Sequence, residues 1–131
     1  MVTVPTVLVA DDTASIRFLI RTNLELDGYD VLEAVDGIDC IEQLGALAEA
    51  GSLPDVVTVD VMMPRQDGIA TATQIRADER FASVALVMVS TQNLAADIKR
   101  GYEAGVDAYV TKPFDPDEFL ATIARVLAER V

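Results

Sequence analysis

The residues of this sequence that could do chemistry stand in short strings: Asp11-Asp12, Asp60 within TVDVMMPRQDG, Ser90-Thr91, and Thr111-Lys112-Pro113. Asp60 interrupts a strand-like run, Val56 to Val61, just before the chain breaks at Met63-Pro64. The chain has no histidine, so this carboxylate cannot be orienting an imidazole. If the strings met in space they would bring together three carboxylates, a hydroxyl and an ammonium. Two ionised carboxylates about 4 Å apart repel by about 4 kcal/mol at an effective dielectric near 20, so three need a cation or a raised pKa. Oxygen donors without histidine or cysteine argue against a zinc site, and a few carboxylates with waters and a phosphate suit Mg²⁺. Lys112, one of two lysines in the chain, would face the same centre as the compact point charge with which lysine engages phosphate.

Whether the strings meet depends on the elements between them. Residues 6–10, 30–34, 55–60, 84–89 and 108–111 are short and rich in apolar or β-branched residues, which predicts strands. Helical periodicity fills the gaps. Ile16, Leu19, Ile20 and Leu24 share one face, as do Ile38, Ile41, Leu44 and Ala48. A weaker pattern starts near Gly68 with Ile69, Ala72 and Ile75, and the weakest runs from Leu94 to Ala104. The last helix is the clearest: Asp115 as N-cap, Pro116 at the first position and Glu118 at the third precede Phe119, Ile123, Val126 and Leu127. Alternating strands and helices predict an α/β fold, a parallel sheet with right-handed crossovers and helices on both faces. Ligands of such open sheets sit beyond the carboxyl ends of the strands, where all the reactive strings fall.

The composition narrows the functions. The 131 residues, 51% of them hydrophobic, suffice for one domain spanning residues 1–131. The net charge of −12 would repel nucleic acid phosphates and anionic lipids, so direct nucleic acid or membrane binding is not expected. The lone Cys40 has no partner for an internal disulfide, no apolar run approaches the roughly 20 residues of a membrane helix, and the N-terminal residues lack a basic leader, which together predict a cytoplasmic location.

VLVADD (7–12), VDVMMPRQDG (59–68), VMVS (87–90) and YVTKPF (109–114), in this order at strand ends, resemble the receiver domain of two-component response regulators. The resemblance covers essentially the whole chain and implies a doubly wound (βα)5 flavodoxin-like domain with strand order 2-1-3-4-5. It implies that Asp60 accepts a phosphoryl group from a histidine kinase or histidine phosphotransfer protein. Asp12, Asp60 and the Met62 backbone carbonyl would bind Mg²⁺ directly, and Asp11 mainly through water. Lys112, aimed inward by a cis peptide before Pro113, would pair with the phosphoryl oxygens, Ser90 would donate its hydroxyl to one, and Tyr109 would be an aromatic switch. The surface of helix four, strand five and helix five would then change for a target protein or an output domain. Such a chain is expected to be a monomer or a phosphorylation-dependent dimer, and no enzyme beyond its own Mg²⁺-dependent phosphorylation and dephosphorylation.

Plainer readings compete. Asp12 or Thr13 could cap helix one, and Ser90 could bond nearby backbone. Tyr109 could simply pack, Asp67-Gly68 could be no more than a turn and helix start, and Cys40 a buried thiol. Met62-Met63 reads as core and rim packing. Thr91 departs from the family's very small residue after the hydroxyl, and its bulk is expected to slow transfer or restrict the donor. With Met62 beside the acceptor and Gln92 across the pocket, no acid would orient an attacking water, so a long-lived phosphoryl state is expected. Asp107-Ala108 lacks the acid pair common in the DNA-binding branch, which tilts the reading away from that branch. The rival of the same architecture is a Mg²⁺-dependent haloacid dehalogenase-type phosphatase or phosphotransferase. That class has a second aspartate two residues after its nucleophile, where this chain has Met62. A flavin binder lacks support, since no Ser/Thr/Gly phosphate loop follows strand one.

Overall fold

The apolar runs become strands whose two sides are both covered. A computed structural model describes residues 4–129; residues 1–3 and 130–131, part of the one-domain reading, lie outside the described residues. The strands are β1 (Thr6–Ala10), β2 (Asp30–Ala34), β3 (Val56–Val59), β4 (Ala85–Ser90) and β5 (Ala108–Thr111). The helices are α1 (Ala14–Leu26), α2 (Gly37–Glu49), α3 (Gly68–Ala77), α4 (Ala95–Glu103) and α5 (Pro116–Glu129), with a 3₁₀ turn at Glu79–Phe81. All strand pairs are parallel and the order is β2-β1-β3-β4-β5, the flavodoxin-like arrangement. The order reverses between β1 and β3, so the loops after these strands open a crevice.

Alternate residues of each strand serve different layers. Leu8, Val57, Val59, Leu86 and Met88 pack with Cys40 and Leu44 of α2, Ala72 and Ile75 of α3, and Phe81. Val7, Val9, Val56, Val87 and Val89 pack with Ile20 and Leu24 of α1 and with Phe119, Ile123 and Val126 of α5. Phe81 and Phe119 are among the largest fully buried side chains, each contributing about 1.5–3 kcal/mol relative to exposure.

Several expectations move. Helix α1 turns Ile20 and Leu24 inward but leaves Leu19 47% exposed, so its buried stripe is narrower than the periodicity predicts. β3 ends at Val59, one residue before Asp60, and β4 is displaced one residue later so that Ser90 closes it. Thr13 is the N-cap of α1 but makes no side-chain cap bond; Asp11 Oδ1 instead accepts from the Thr13 backbone N–H at 2.9 Å. Helix α5 starts as its sequence predicts, with Asp115 Oδ1 accepting from the N–H groups of Asp117 and Glu118 at 2.8 and 3.5 Å. Burial pushes the Cys40 thiol up to about 12, so it packs as an inert hydrophobe.

Candidate functional site

Beyond β1, Asp11 is fixed on three sides. Besides Thr13, its Oδ2 accepts from Lys112 Nζ at 2.7 Å and its backbone carbonyl from Arg17 Nη1 at 2.7 Å. Arg17 is held in turn by Glu33 of β2 at 3.1 Å. Asp12, next in sequence, is exposed. Asp60 follows β3 and is 8% exposed; its N–H bonds the Ala10 carbonyl at 3.1 Å, its Oδ2 accepts from Lys112 Nζ at 2.9 Å, and its Oδ1 from Met62 N–H at 3.3 Å. One oxygen from each of Asp11, Asp12 and Asp60 lies within 4.8 Å of the others. Lys112 comes from beyond β5 and precedes Pro113 through a cis peptide. Burial pulls its ammonium's pKa down, but the bonds and charges of Asp11 and Asp60 outweigh that, and the pKa is raised above the usual lysine range.

Helix α3 starts against Asp60. Asp67 caps it, accepting from Ala70 N–H at 2.8 Å, and a Cβ on Gly68 would meet the Asp60 carbonyl oxygen at 2.2 Å. The Asp67-Gly68 turn therefore also sets how closely α3 approaches the site. Gly68→Ala is expected to cost about 1–3 kcal/mol, because backbone rather than a flexible side chain must yield. Urea denaturation checks this, and a parent-like midpoint would show that the end of β3 does not depend on that approach.

Ser90 is fully buried, and its Oγ accepts from Gln92 N–H at 3.1 Å. Tyr109 is partly buried and packs on the core, its hydroxyl donating to the Gln92 carbonyl at 2.6 Å. Burial raises the phenol's pKa, with Ser90 opposing. Gln92 Nε2 reaches Met62 Sδ at 3.4 Å across the mouth of the site. Met62 is 62% exposed and Met63 buried, which divides the pair into rim and core. A recess of about 490 Å³ is lined by Asp12, Ile16, Leu19, Asp60, Thr91 and Lys112, among others.

The structure thus brings Asp11, Asp12, Asp60, Met62 and Lys112 to one edge, with Ser90 and Tyr109 joined to them through Gln92. Sequence reasoning missed Arg17, Arg65 and the spatial role of Gly68; only the Asp-Gly pair carried a local signal, since the arginines find their partners through the fold. The donor set fits a hard divalent cation: all the ligands are oxygens, and one ammonium against three carboxylates leaves an excess of negative charge.

A parallel sheet with an acidic crevice at its switch point and a lysine bridging two of the acids defines a class of site rather than one protein. The family model for the response regulator receiver domain matches residues 7–124, and the chain belongs to that family of two-component signalling domains. It is 37% identical to the DNA-binding dual master transcriptional regulator RpaA of Synechocystis over 94% of this chain and 49% of that protein. It is also 37% identical to protein PilG of Pseudomonas aeruginosa, over 89% of this chain and 83% of PilG. The chain spans about half the length of the transcriptional regulators it matches. Among solved structures, the receiver domain of the Francisella response regulator 1452 superposes with a TM-score of 0.86 at 29% identity, over 97% of this chain and 99% of that one.

Proposed function

We propose that the chain, taken as one domain over residues 1–131, is the phosphoacceptor of a two-component phosphorelay, with Asp60 as the acceptor. The observation that carries this is Lys112 Nζ bridging Asp11 and Asp60, groups 101 and 52 residues away in sequence, at the crevice. An Asp60 carboxylate oxygen attacks the phosphorus of a partner's phosphohistidine; a P–O bond forms, the P–N bond breaks, and the imidazole nitrogen keeps the electron pair. Mg²⁺, held by Asp12, Asp60 and the Met62 carbonyl with Asp11 mainly through water, would neutralise charge on the phosphoryl oxygens. Lys112 pairs with those oxygens and orients the carboxylate. Positioning and charge neutralisation supply most of the catalysis in such transfers.

The donor is a histidine kinase or histidine phosphotransfer protein, and the output a target protein or an attached output domain. The chain acts in the cytoplasm as a monomer or phosphorylation-dependent dimer, without contacting nucleic acid or membrane itself. Among the described residues no helix is long and apolar enough to cross a membrane. Asp107 is already engaged within its own fold, accepting from Arg76 Nη2 and the Leu86 N–H, each at 2.8 Å, which fits an output other than DNA binding.

Ser90 couples the phosphoryl group to the output face. Its Oγ would leave Gln92 N–H to meet a phosphoryl oxygen, freeing the backbone whose carbonyl holds Tyr109. The Tyr109 ring then follows into the space that the Ser90 hydroxyl vacates. Ser90→Ala should keep phosphoryl uptake and lose the phosphorylation-dependent gain in partner binding. A parent-like gain, measured by titrating the partner with and without phosphodonor, would rule the relay out. Met62 and Gln92, in contact across the mouth of the site, supply no acid to orient an attacking water, so the phosphoryl state should be long-lived; rapid decay of the isolated phosphoprotein in Mg²⁺ would contradict this.

Incubation with a small phosphodonor and Mg²⁺ tests the function. A receiver takes up one acid-labile phosphoryl group and stops, whereas a haloacid dehalogenase-type phosphatase would turn the donor over continuously.

A further inference from the structure

The loop from β3 to α3 carries Met62 and then doubles back through Arg65, whose φ of +64° lies in the left-handed region that long side chains adopt rarely. Glycine would be at ease there, so an arginine implies something that holds it. Its guanidinium grips Asp36 with two bonds, Nε to Oδ2 at 2.7 Å and Nη2 to Oδ1 at 3.0 Å. Asp36 is only 5% exposed and caps α2, accepting from Asp39 N–H at 2.8 Å. Arg65, then the Asp39 N–H, hold its carboxyl below the usual range, so it stays ionised. The first turn of α2 also presses on the loop: a Cβ on Gly37 would meet the Gln66 carbonyl oxygen at 2.4 Å and Thr71 Oγ1 at 2.1 Å. One side of the loop is thereby fastened to α2, while Met62, on the other, remains exposed at the crevice.

We propose that Arg65 and Asp36 form a positioning brace: by fixing the loop they present the Met62 carbonyl to the acid pair, and so set the site's affinity for a divalent cation that neither side chain touches. This rests on the Mg²⁺ reading above. Asp36→Asn keeps an oxygen for the α2 cap but loses the ionic grip, and Arg65→Ala removes the other partner from a half-exposed position. Arg65→Gly removes the guanidinium while easing the backbone.

The test is Mg²⁺ titration of the full chain by calorimetry, together with phosphoryl uptake at saturating Mg²⁺. Each single variant should weaken Mg²⁺ about tenfold, as loss of an outer support does. The Asp36→Asn/Arg65→Ala double variant should be no weaker than either alone, because the two residues act as one unit. Uptake at saturating Mg²⁺ should stay within about twofold of the parent. Parent-like affinity in Arg65→Ala or Arg65→Gly, or losses that add in the double variant, would overturn the brace and leave the acceptor reading standing. A parent that neither binds Mg²⁺ nor takes up phosphate would sink both. If Asp36→Asn does not fold, the two Arg65 variants decide the matter alone.

Discussion

Asp60→Asn is expected to take up no phosphoryl group from any donor while folding as well as the parent. A carboxamide oxygen is too weak a nucleophile to displace the imidazole, so the loss should be complete rather than partial. The side-chain oxygen can still accept from Lys112 Nζ, which in the parent lies 2.9 Å from Asp60 Oδ2. One negative charge leaves a crevice that holds three carboxylates, so stability should be unchanged or raised by up to about 1 kcal/mol. Uptake assayed beside urea denaturation separates loss of the acceptor from loss of the fold. Undiminished labelling of the asparagine variant would place the acceptor elsewhere.

Lys112→Met should damage both chemistry and stability. Its side chain is 11% exposed and pairs with aspartate side chains that are 2% and 10% exposed, so removal leaves two buried charges facing each other without a cation. Breaking such a pair costs about 3–5 kcal/mol, and losing one preorganised donor to developing charge costs about 100-fold or more in rate. The pH dependence follows from the parent's raised lysine pKa. An ammonium whose folded pKa exceeds its unfolded value of about 10.4 contributes stability in full below that pH and loses it as pH rises through the folded value. The stability gap between parent and variant should therefore be flat from about pH 6 to 9 and narrow only in stronger alkali. Parent-like uptake in Lys112→Met would remove the lysine from the mechanism.

Much of this was legible in the sequence, and the parts that were not share a cause. The strands were readable because burial on both faces demands continuous apolar runs, and α5 because Asp115, Pro116 and Glu118 act within a single turn. The crevice followed from topology alone: parallel strands put Asp11, Asp60 and Lys112 on one edge. Interactions between distant segments were not legible. Nothing near Arg65 announces Asp36, 29 residues away, nor does anything near Gly68 announce that its missing Cβ faces the Asp60 carbonyl. Leu19 misled because helical period identifies apolar residues but not the width of the stripe that the sheet covers. The cap of α1 misled differently: Thr13 stands at the N-cap without a side-chain cap bond, and its own N–H is held by Asp11 Oδ1.

The most direct measurement is reductive mapping of the acyl phosphate: the full chain is incubated with a small phosphodonor and Mg²⁺, treated with borohydride, digested, and sequenced by mass spectrometry. Conversion of residue 60, and no other aspartate, to the reduced side chain is the predicted result. Reduction at Asp11 or Asp12 instead, or a chain left unmodified with donor and Mg²⁺ in excess, would contradict it.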